Sequence, residues 1–164
     1  MNGVLCIDKP EGMTSFDVIA RLRRITHTRK IGHTGTLDPM ATGLLPVLFG
    51  TATKACDLMP ESGKRYRAAF QLGVTSDTED IWGTLSPTGA AFPEKEAVEA
   101  ALIPFRGEIM QLPPMYSALS VGGKRLYELA REGKTVERTP RPVTISRLAL
   151  LAYDPVSGRG ELDV

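Results

Sequence analysis

The feature that most constrains the fold of this chain is a segment rich in glycine and threonine at residues 32–43. Its glycines permit close backbone approach or a positive φ, and Pro39 restricts Asp38 to an extended conformation. We therefore predict a constrained loop that displays one carboxylate between two apolar residues, Leu37 and Met40. Such a carboxylate can act as a nucleophile or a base once a cation keeps it ionised.

Spacing alone leaves alternatives open for this loop. Asp38 is also typical of an Asx-type turn before proline, and His33 is either satisfied by backbone hydrogen bonds or in contact with a substrate. No Lys-Ser/Thr pair follows the glycines, so the segment is not a phosphate-binding P-loop. Nothing in the spacing places three further carboxylates near this loop, and we predict that they lie in a solvated turn: Asp77, Glu79 and Asp80.

A second candidate site is a basic stretch around one aromatic residue. Tyr66 lies in the string Lys64-Arg65-Tyr66-Arg67, where a pattern of alternating apolar residues begins. Three cations around an aromatic ring on a strand suit a stacking platform flanked by phosphate contacts. An ordinary edge strand with a solvated basic face is the alternative. Residues 21–30 carry five Lys or Arg and no acid, which alone is weak evidence for RNA binding.

Composition excludes several classes of protein. Twenty Lys and Arg against 19 Asp and Glu give a formal net charge of +1, so the whole molecule attracts an anionic partner only weakly. Two cysteines and two histidines are too few for a disulfide scaffold or a four-thiolate zinc site. Composition also rules out a membrane span. The apolar run at residues 1–7 is too short for a secretory signal, and we expect a cytoplasmic protein.

Hydrophobic periodicity predicts a mixture of strands and helices. The length of 164 residues allows one domain, or one domain and a fragment. We predict strands at residues 4–7, 65–73, 143–152 and 161–164, and a buried segment at 44–49. Helices are predicted from Thr14-Ser15 with an apolar face of Val18, Ile19, Leu22 and Ile25, from Pro93 to Phe105, and at residues 124–131 with a stop at Gly133. Because the last strand still alternates at Val164, we expect an incomplete protein.

Four stretches of the chain, in order and spacing, resemble the motifs of the TruB family of tRNA pseudouridine synthases. The resemblance runs from Gly3 to about Ala152, and four motifs in order make it specific. The stretches are Asp8-Lys9-Pro10-Glu11-Gly12-Met13-Thr14-Ser15, residues 32–43, Lys64-Arg65-Tyr66, and Pro114-Met115-Tyr116-Ser117-Ala118.

The resemblance implies that Asp38 is the catalytic aspartate and that Tyr66 packs against the target base. The implied reaction is isomerisation of uridine at position 55 in the T-loop of tRNA, without metal or cofactor. The T-arm stem-loop is then the partner, gripped by an insertion at residues 113–142, and no obligate protein partner is expected. The remaining substrate-binding residues are predicted to be His33, Lys64, Arg65 and Arg67.

The fold implied by the resemblance is α+β, with a mixed, mainly antiparallel pseudouridine-synthase sheet flanked by helices. Residues 1–164 are then the N-terminal portion of the catalytic domain, with its later strands missing. The family continues with a Gly-Thr-Tyr-Ile-Arg-like stretch whose arginine pairs with the catalytic aspartate, and this chain ends at Val164, about where that stretch begins. We therefore expect the 164-residue chain itself to be inactive.

Three hypotheses about function remain open at this point. The chain is the N-terminal part of a tRNA pseudouridine synthase, or a non-catalytic RNA-binding module that uses the same surface. The third hypothesis is a guide-RNA-dependent synthase of the same superfamily, which is less favoured because the match to the stand-alone form extends through the insertion.

Overall fold

The computed structural model describes residues 1–58, 63–117 and 119–164, apart from the side chain at position 57. The chain forms two compact units, Met1–Gly63 and Lys64–Val164. Ala118, the last residue of the fourth motif, lies outside the described residues. Within the described part, none of the helices has the length and apolar character that crossing a bilayer requires.

The first unit contains a three-stranded antiparallel sheet, one α-helix and one 3-10 helix. Its elements are β1 (Gly3–Lys9), α1 (Ser15–Thr26), β2 (Ile31–His33), β3 (Gly43–Phe49) and the 3-10 helix Gly50–Leu58. β3 is the central strand, paired along its length with β1 and, at its C-terminal end, with β2. The loop between β2 and β3, which contains Asp38, is thus anchored at both ends in one sheet.

Helix α1 begins where the sequence predicts, because Thr14 forms a capping box with Asp17. The Thr14 hydroxyl accepts a hydrogen bond from the Asp17 amide at 3.0 Å, and the Asp17 carboxylate accepts one from the Thr14 amide at 2.8 Å. Hydrogen bonds from Thr14, side chain first, lower the pKa of the Asp17 carboxyl. The helix ends at His27, which adopts a left-handed φ of 51°.

The core of the first unit lies between α1 and the sheet. Its buried residues are Val18, Ile19, Ile31, Leu45, Val47 and Phe49. Each such side chain contributes about 1.5–3 kcal/mol through burial. Two details of the prediction are wrong: Ile25 is 65% exposed and Leu44 is 67% exposed, because the apolar face of α1 ends before its last turn and Leu44 points away from this core.

The second unit is built from short antiparallel pairings and two α-helices. Its first elements are β4 (Arg67–Gln71), β5 (Val74–Ser76), β6 (Leu85–Pro87), α2 (Lys95–Leu102), the 3-10 helix Ile103–Phe105 and β7 (Gly107–Gln111). They are followed by β8 (Ser120–Val121), β9 (Lys124–Arg125), α3 (Leu126–Arg131), β10 (Arg141–Ile145), β11 (Ala149–Asp154) and β12 (Arg159–Asp163). The predicted α+β class with mainly antiparallel pairing is confirmed.

The sheet next to the candidate residues 64–67 is three-stranded, in the order β11-β12-β4, so β12 is its central strand. The other pairings are β10 with β7, β5 with β6, and β8 with β9. Helix α2 contacts β11, and the rings of Phe70 and Tyr153 stack with centroids 6.2 Å apart. The predicted strand at residues 161–164 is thus β12, paired on both sides.

Three predicted boundaries in this unit are wrong. The strand predicted at residues 143–152 is two strands, β10 and β11, in different sheets, because the chain bends where the Leu148 carbonyl accepts a hydrogen bond from Arg106 Nε at 3.0 Å. The helix predicted at residues 124–131 begins at Leu126, because the two residues before it pair as β9. Helix α2 begins two residues after Pro93, with Glu94 as its N-cap.

Candidate active site

Asp38 lies in the loop between β2 and β3, and its side chain is exposed. Its backbone carbonyl accepts a hydrogen bond from the Ala41 amide at 3.0 Å, which closes a turn. The Asp38 carboxylate accepts no hydrogen bond from any residue that the structure describes. The Asx-type turn, the structural alternative for this residue, is therefore absent, and the carboxylate is open to a ligand.

A buried lysine holds the loop on the C-terminal side of Asp38. Lys9 is 0% exposed, and its Nζ donates hydrogen bonds to the carbonyls of Pro10 at 2.9 Å, Met13 at 2.7 Å and Pro39 at 3.3 Å. The Pro39 carbonyl also accepts a hydrogen bond from the Gly12 amide at 2.8 Å. All three N–H donors of the ammonium group therefore have partners, as a buried charge requires.

A buried serine holds the loop on the N-terminal side of Asp38. Ser15 is 2% exposed, and its Oγ accepts a hydrogen bond from the Leu37 amide at 3.0 Å. The same hydroxyl donates to the Leu37 carbonyl at 3.2 Å. Because both neighbours of Asp38 are fixed to the segment at residues 9–15, the loop presents its carboxylate from a rigid support. We call the contacts of Lys9, Gly12 and Ser15 to this loop the loop clamp.

Sequence reasoning found the motif that contains the loop clamp but assigned no role to its members. Because lysine is almost never fully buried, the sequence suggests that Lys9 is an exposed residue at the end of a strand. The only signal in the sequence was its position between an apolar strand and Pro10. Only the fold shows that one of the acceptors belongs to a residue 30 positions away.

His33 is the last residue of β2, opposite Val47 on β3. Its side chain is partly buried, and Nδ1 is buried without a hydrogen-bond partner among the described residues. The predicted alternative, in which backbone groups form hydrogen bonds with the imidazole, is therefore absent at Nδ1 among the described residues. At the other end of the loop, Gly43 has a φ of 115°, a conformation that favours glycine.

Tyr66 lies one residue before β4 and extends the ladder with β12. Its amide donates to the Val164 carbonyl at 2.7 Å, and its carbonyl accepts from the Val164 amide at 3.0 Å. The side chain is 42% exposed, and within the described ranges its hydroxyl makes no hydrogen bond. Its ring is accessible, as a base-stacking surface must be.

Arg65 is tied to a buried carboxylate on the central strand. Its Nε and Nη2 donate to Asp163 Oδ1 at 2.7 Å and Oδ2 at 2.8 Å, a bidentate pair. Arg147 Nε donates to the same Oδ2 at 2.5 Å. The hydrogen bonds from Arg65, and then from Arg147, hold the pKa of the Asp163 carboxyl well below its usual range, and the same contact raises the pKa of Arg65.

The other predicted cations differ in their surroundings. Lys64 is exposed, and Arg67 Nε lies 3.9 Å from Glu161 with 72% of its side chain exposed. The candidate residues thus form two groups. Asp38 and His33 belong to the first unit, whereas Tyr66 and its three basic neighbours belong to the second.

Arginines of α1 and of the segment at residues 113–142 are partly engaged within the protein. In α1, the Arg23 guanidinium lies 5.7 Å from the centre of the exposed Phe16 ring and donates to the Ile31 carbonyl at 3.3 Å. In the segment at residues 113–142, Arg138 donates to the Pro113 carbonyl at 2.9 Å, which joins its two ends. Asp77 also lies in an exposed turn, as predicted, and accepts a hydrogen bond from the Thr84 amide at 2.8 Å.

Metal-binding residues do not cluster in the part of the chain that the structure describes. No three His, Cys, Asp or Glu side chains there lie together in a way that could hold a metal ion. The chemistry that the arrangement offers is that of one accessible carboxylate on a rigid loop, together with an accessible aromatic ring flanked by arginines.

Comparison with known proteins points to one family. The model of the TruB family pseudouridylate synthase (N terminal domain) matches residues 23–164. A tRNA pseudouridine synthase B from Clostridium kluyveri is 52% identical over 145 residues, which cover 88% of this chain and 50% of the relative. Its counterpart from Burkholderia lata is 52% identical, with 94% and 48% covered. The chain spans about half the length of the curated relatives it matches.

Solved structures support the same grouping. A structure of a Cbf5-Nop10-Gar1 complex matches with a TM-score of 0.71 and 27% identity, covering 99% of this chain and 38% of the matched chain. An archaeal box H/ACA sRNP Nop10-Cbf5 complex matches with a TM-score of 0.66 and 25% identity, covering 99% and 37%.

Proposed function

Because the chain belongs to the TruB family of pseudouridylate synthases, we propose that it carries the catalytic aspartate, Asp38, of a tRNA pseudouridine synthase. The proposed reaction converts uridine at position 55 in the T-loop to pseudouridine. The single observation that carries this assignment is the exposed Asp38 carboxylate, which accepts no hydrogen bond from the described residues and lies on a loop held by the loop clamp. A solvated surface aspartate needs no such support.

Transfer RNA is the substrate that the relatives favour. Proteins named tRNA pseudouridine synthase B are about half identical to this chain, whereas the Cbf5 structures are 25–27% identical. This difference supports a stand-alone synthase over a guide-RNA-dependent one. We further propose that the segment at residues 113–142 grips the T-arm, that no obligate protein partner is needed, and that the enzyme acts in the cytoplasm.

The chemistry requires the target uracil to leave the stack before its glycosidic bond breaks and C5 joins the ribose. Extruding a loop base costs a few kcal/mol, and stacking on Tyr66 recovers about 1–3 kcal/mol of that. Asp38 then attacks the ribose C1′ or the uracil ring, or removes a ribose proton. Each of these steps needs an ionised carboxylate held at a fixed distance from the base, because a catalytic group outside near-attack geometry loses several orders of magnitude in rate.

The direct experiment compares two proteins on T-arm RNA. One is the 164-residue chain, and the other joins residues 1–164 to the remaining half of a 52%-identical relative. We propose that the chain alone binds RNA without turnover and that the fusion forms pseudouridine. Absence of pseudouridine with a fusion that is folded and binds RNA would favour the non-catalytic RNA-binding module instead.

Substitution of Tyr66 separates the ring from its hydroxyl. Tyr66→Phe should bind T-arm RNA like the parent. The Tyr66 hydroxyl makes no hydrogen bond within the described residues, so its removal breaks none there. Tyr66→Ala should lose roughly 1–3 kcal/mol of binding free energy, the value of one base-aromatic stack. Fluorescence titration with labelled RNA measures both. Equal affinity of the alanine variant and the parent would rule out the stacking platform.

Salt dependence tests whether the basic residues contact phosphates. The affinity for T-arm RNA should fall as salt rises, by about 0.7 log unit per log unit of salt for each phosphate contact to single-stranded RNA. Because the net charge of the chain is only +1, such a slope must come from local contacts. An affinity that stays constant from low to moderate salt would point to a partner other than nucleic acid.

A further inference from the structure

We propose that Asp163 is a positioning residue that fixes Arg65 and Tyr66 in the conformation that binds RNA. This inference rests on the proposed function, because it takes Tyr66 as the surface on which a base stacks. Asp163 itself touches no part of the proposed substrate; it acts through Arg65 and Tyr66, which precede β4.

The carboxylate of Asp163 joins the three strands of its sheet on one face. Asp163 lies on the central strand β12, opposite Arg67 on β4 and Ala149 on β11. It is 5% exposed, yet its oxygens reach Arg65, which precedes β4, and Arg147, which precedes β11. One buried carboxylate therefore fixes the ends of both neighbouring strands.

Residues 163 and 164 together hold residues 65 and 66. The Asp163 side chain binds the Arg65 guanidinium in a bidentate pair, and the Val164 backbone makes both hydrogen bonds of the ladder with Tyr66. The ladder ends with these contacts, because residues 63–65, which precede Tyr66 in the chain, are irregular. Strand ends open most easily, so an ion pair one residue beyond the last ladder pair keeps Tyr66 in place.

The contact between Asp163 and the two arginines does two things. It keeps a buried carboxylate ionised, because the hydrogen bonds from Arg65, and then from Arg147, lower its pKa although desolvation opposes this. It also leaves the arginines accessible, with 73% and 60% of their side chains exposed. A fixed geometry of the Arg65-Tyr66 pair is what the bidentate contact supplies.

The substitution Asp163→Asn should change RNA affinity in opposite directions with and without a positioning role for Asp163. It keeps the shape of the side chain, but its amide nitrogen meets the donors of an arginine, so the bidentate pair is lost. It also removes one negative charge next to the basic residues, which by electrostatics alone strengthens binding of RNA. Weaker binding is therefore expected only if Asp163 positions Tyr66.

The test measures T-arm RNA affinity of the 164-residue chain in a double-mutant cycle. Asp163→Asn should weaken binding about fivefold, the lower end of what loss of one base-aromatic stack costs. In a Tyr66→Ala background the same change should weaken binding by clearly less than fivefold, because the stacking ring that Asp163 positions is gone and only Arg65 remains. Arg159→Gln is the matched control, since it removes an exposed arginine from the other end of β12 and should leave the cycle unchanged.

Hydrogen exchange of the backbone amides supplies a readout independent of RNA. Asp163→Asn should speed exchange at Tyr66 and Val164 by about tenfold or more through local opening, and leave Gly160 at the far end of β12 unchanged. Arg65→Gln should give the same pattern, and because Arg65 is exposed this variant decides the matter if Asp163→Asn does not fold.

The outcomes distinguish this inference from the function on which it rests. If Tyr66→Ala weakens binding while Asp163→Asn leaves it unchanged or tightens it, the positioning role is refuted and the proposed function stands. If Tyr66→Ala has no effect on binding, the stacking role of Tyr66 fails, and the positioning role of Asp163 in RNA binding is overturned with it. If Tyr66→Ala weakens binding but Asp163→Asn leaves the exchange rate of Tyr66 unchanged, only the positioning role is overturned.

Discussion

Replacing Asp38 by Asn is expected to abolish pseudouridine formation by the fusion of residues 1–164 with the remaining half of a relative, and to leave RNA affinity within about threefold. Asn preserves the shape of the side chain but cannot act as a nucleophile or a base at neutral pH. Loss of an essential catalytic group costs several orders of magnitude in rate. We expect affinity to be retained because the proposed binding contacts come from Tyr66 and the basic residues, not from Asp38.

Single-turnover assays with T-arm RNA measure the rate, and titration measures the affinity. Glu11→Gln is the matched control, because Glu11 is an exposed carboxylate of the same unit and lies outside the hydrogen bonds of the loop clamp. It should convert RNA like the parent. Pseudouridine formation by Asp38→Asn at a rate near that of Glu11→Gln would mean that Asp38 is not the catalytic group.

Replacing Lys9 by Met is expected to destabilise the first unit by about 2–4 kcal/mol. Methionine fills much of the same volume but leaves the carbonyls of Pro10 and Met13, whose hydrogen bonds to Lys9 are partly buried, without their donor, and each such loss costs about 1–3 kcal/mol. The Pro39 carbonyl keeps its hydrogen bond from Gly12, which limits the damage at that position.

Urea unfolding followed through the amides of Val47 and Phe49, which lie in the core of the first unit, measures this change. Lys54→Met serves as the control, because Lys54 is exposed on the 3-10 helix of the same unit. A midpoint for Lys9→Met equal to that of the control would show that the buried ammonium does not support the fold. The loop clamp would then lose its main member.

Local rules predicted the parts of the fold that depend on near neighbours. The start of α1 follows from Thr14 and Asp17, three residues apart, and the loop around Asp38 follows from its glycines and Pro39. The strand predicted at residues 143–152 failed because alternation continues through a bend at which the chain changes sheets. Alternation of apolar and polar residues along a strand indicates which face is buried, but it does not identify the partner strand.

The candidate site was likewise predictable only where it depends on residues close together in the sequence. Asp38 and Tyr66 stand out in sequence through the segments around them. Asp163 does not, because its partner Arg65 is 98 residues away and the pair exists only once β4 lies beside β12. Lys9 was missed for a related reason, since a lysine is buried only where the fold gathers carbonyls around it.

The central claim is that this chain supplies the catalytic loop of a synthase specific for one uridine of tRNA. Its most direct test is to incubate the fusion protein with an unmodified full-length tRNA and map pseudouridine at every uridine by chemical modification and primer extension. We expect one pseudouridine, at position 55 of the T-loop, which disappears in the Asp38→Asn variant. Pseudouridine at other positions only, or at position 55 regardless of that substitution, would contradict it.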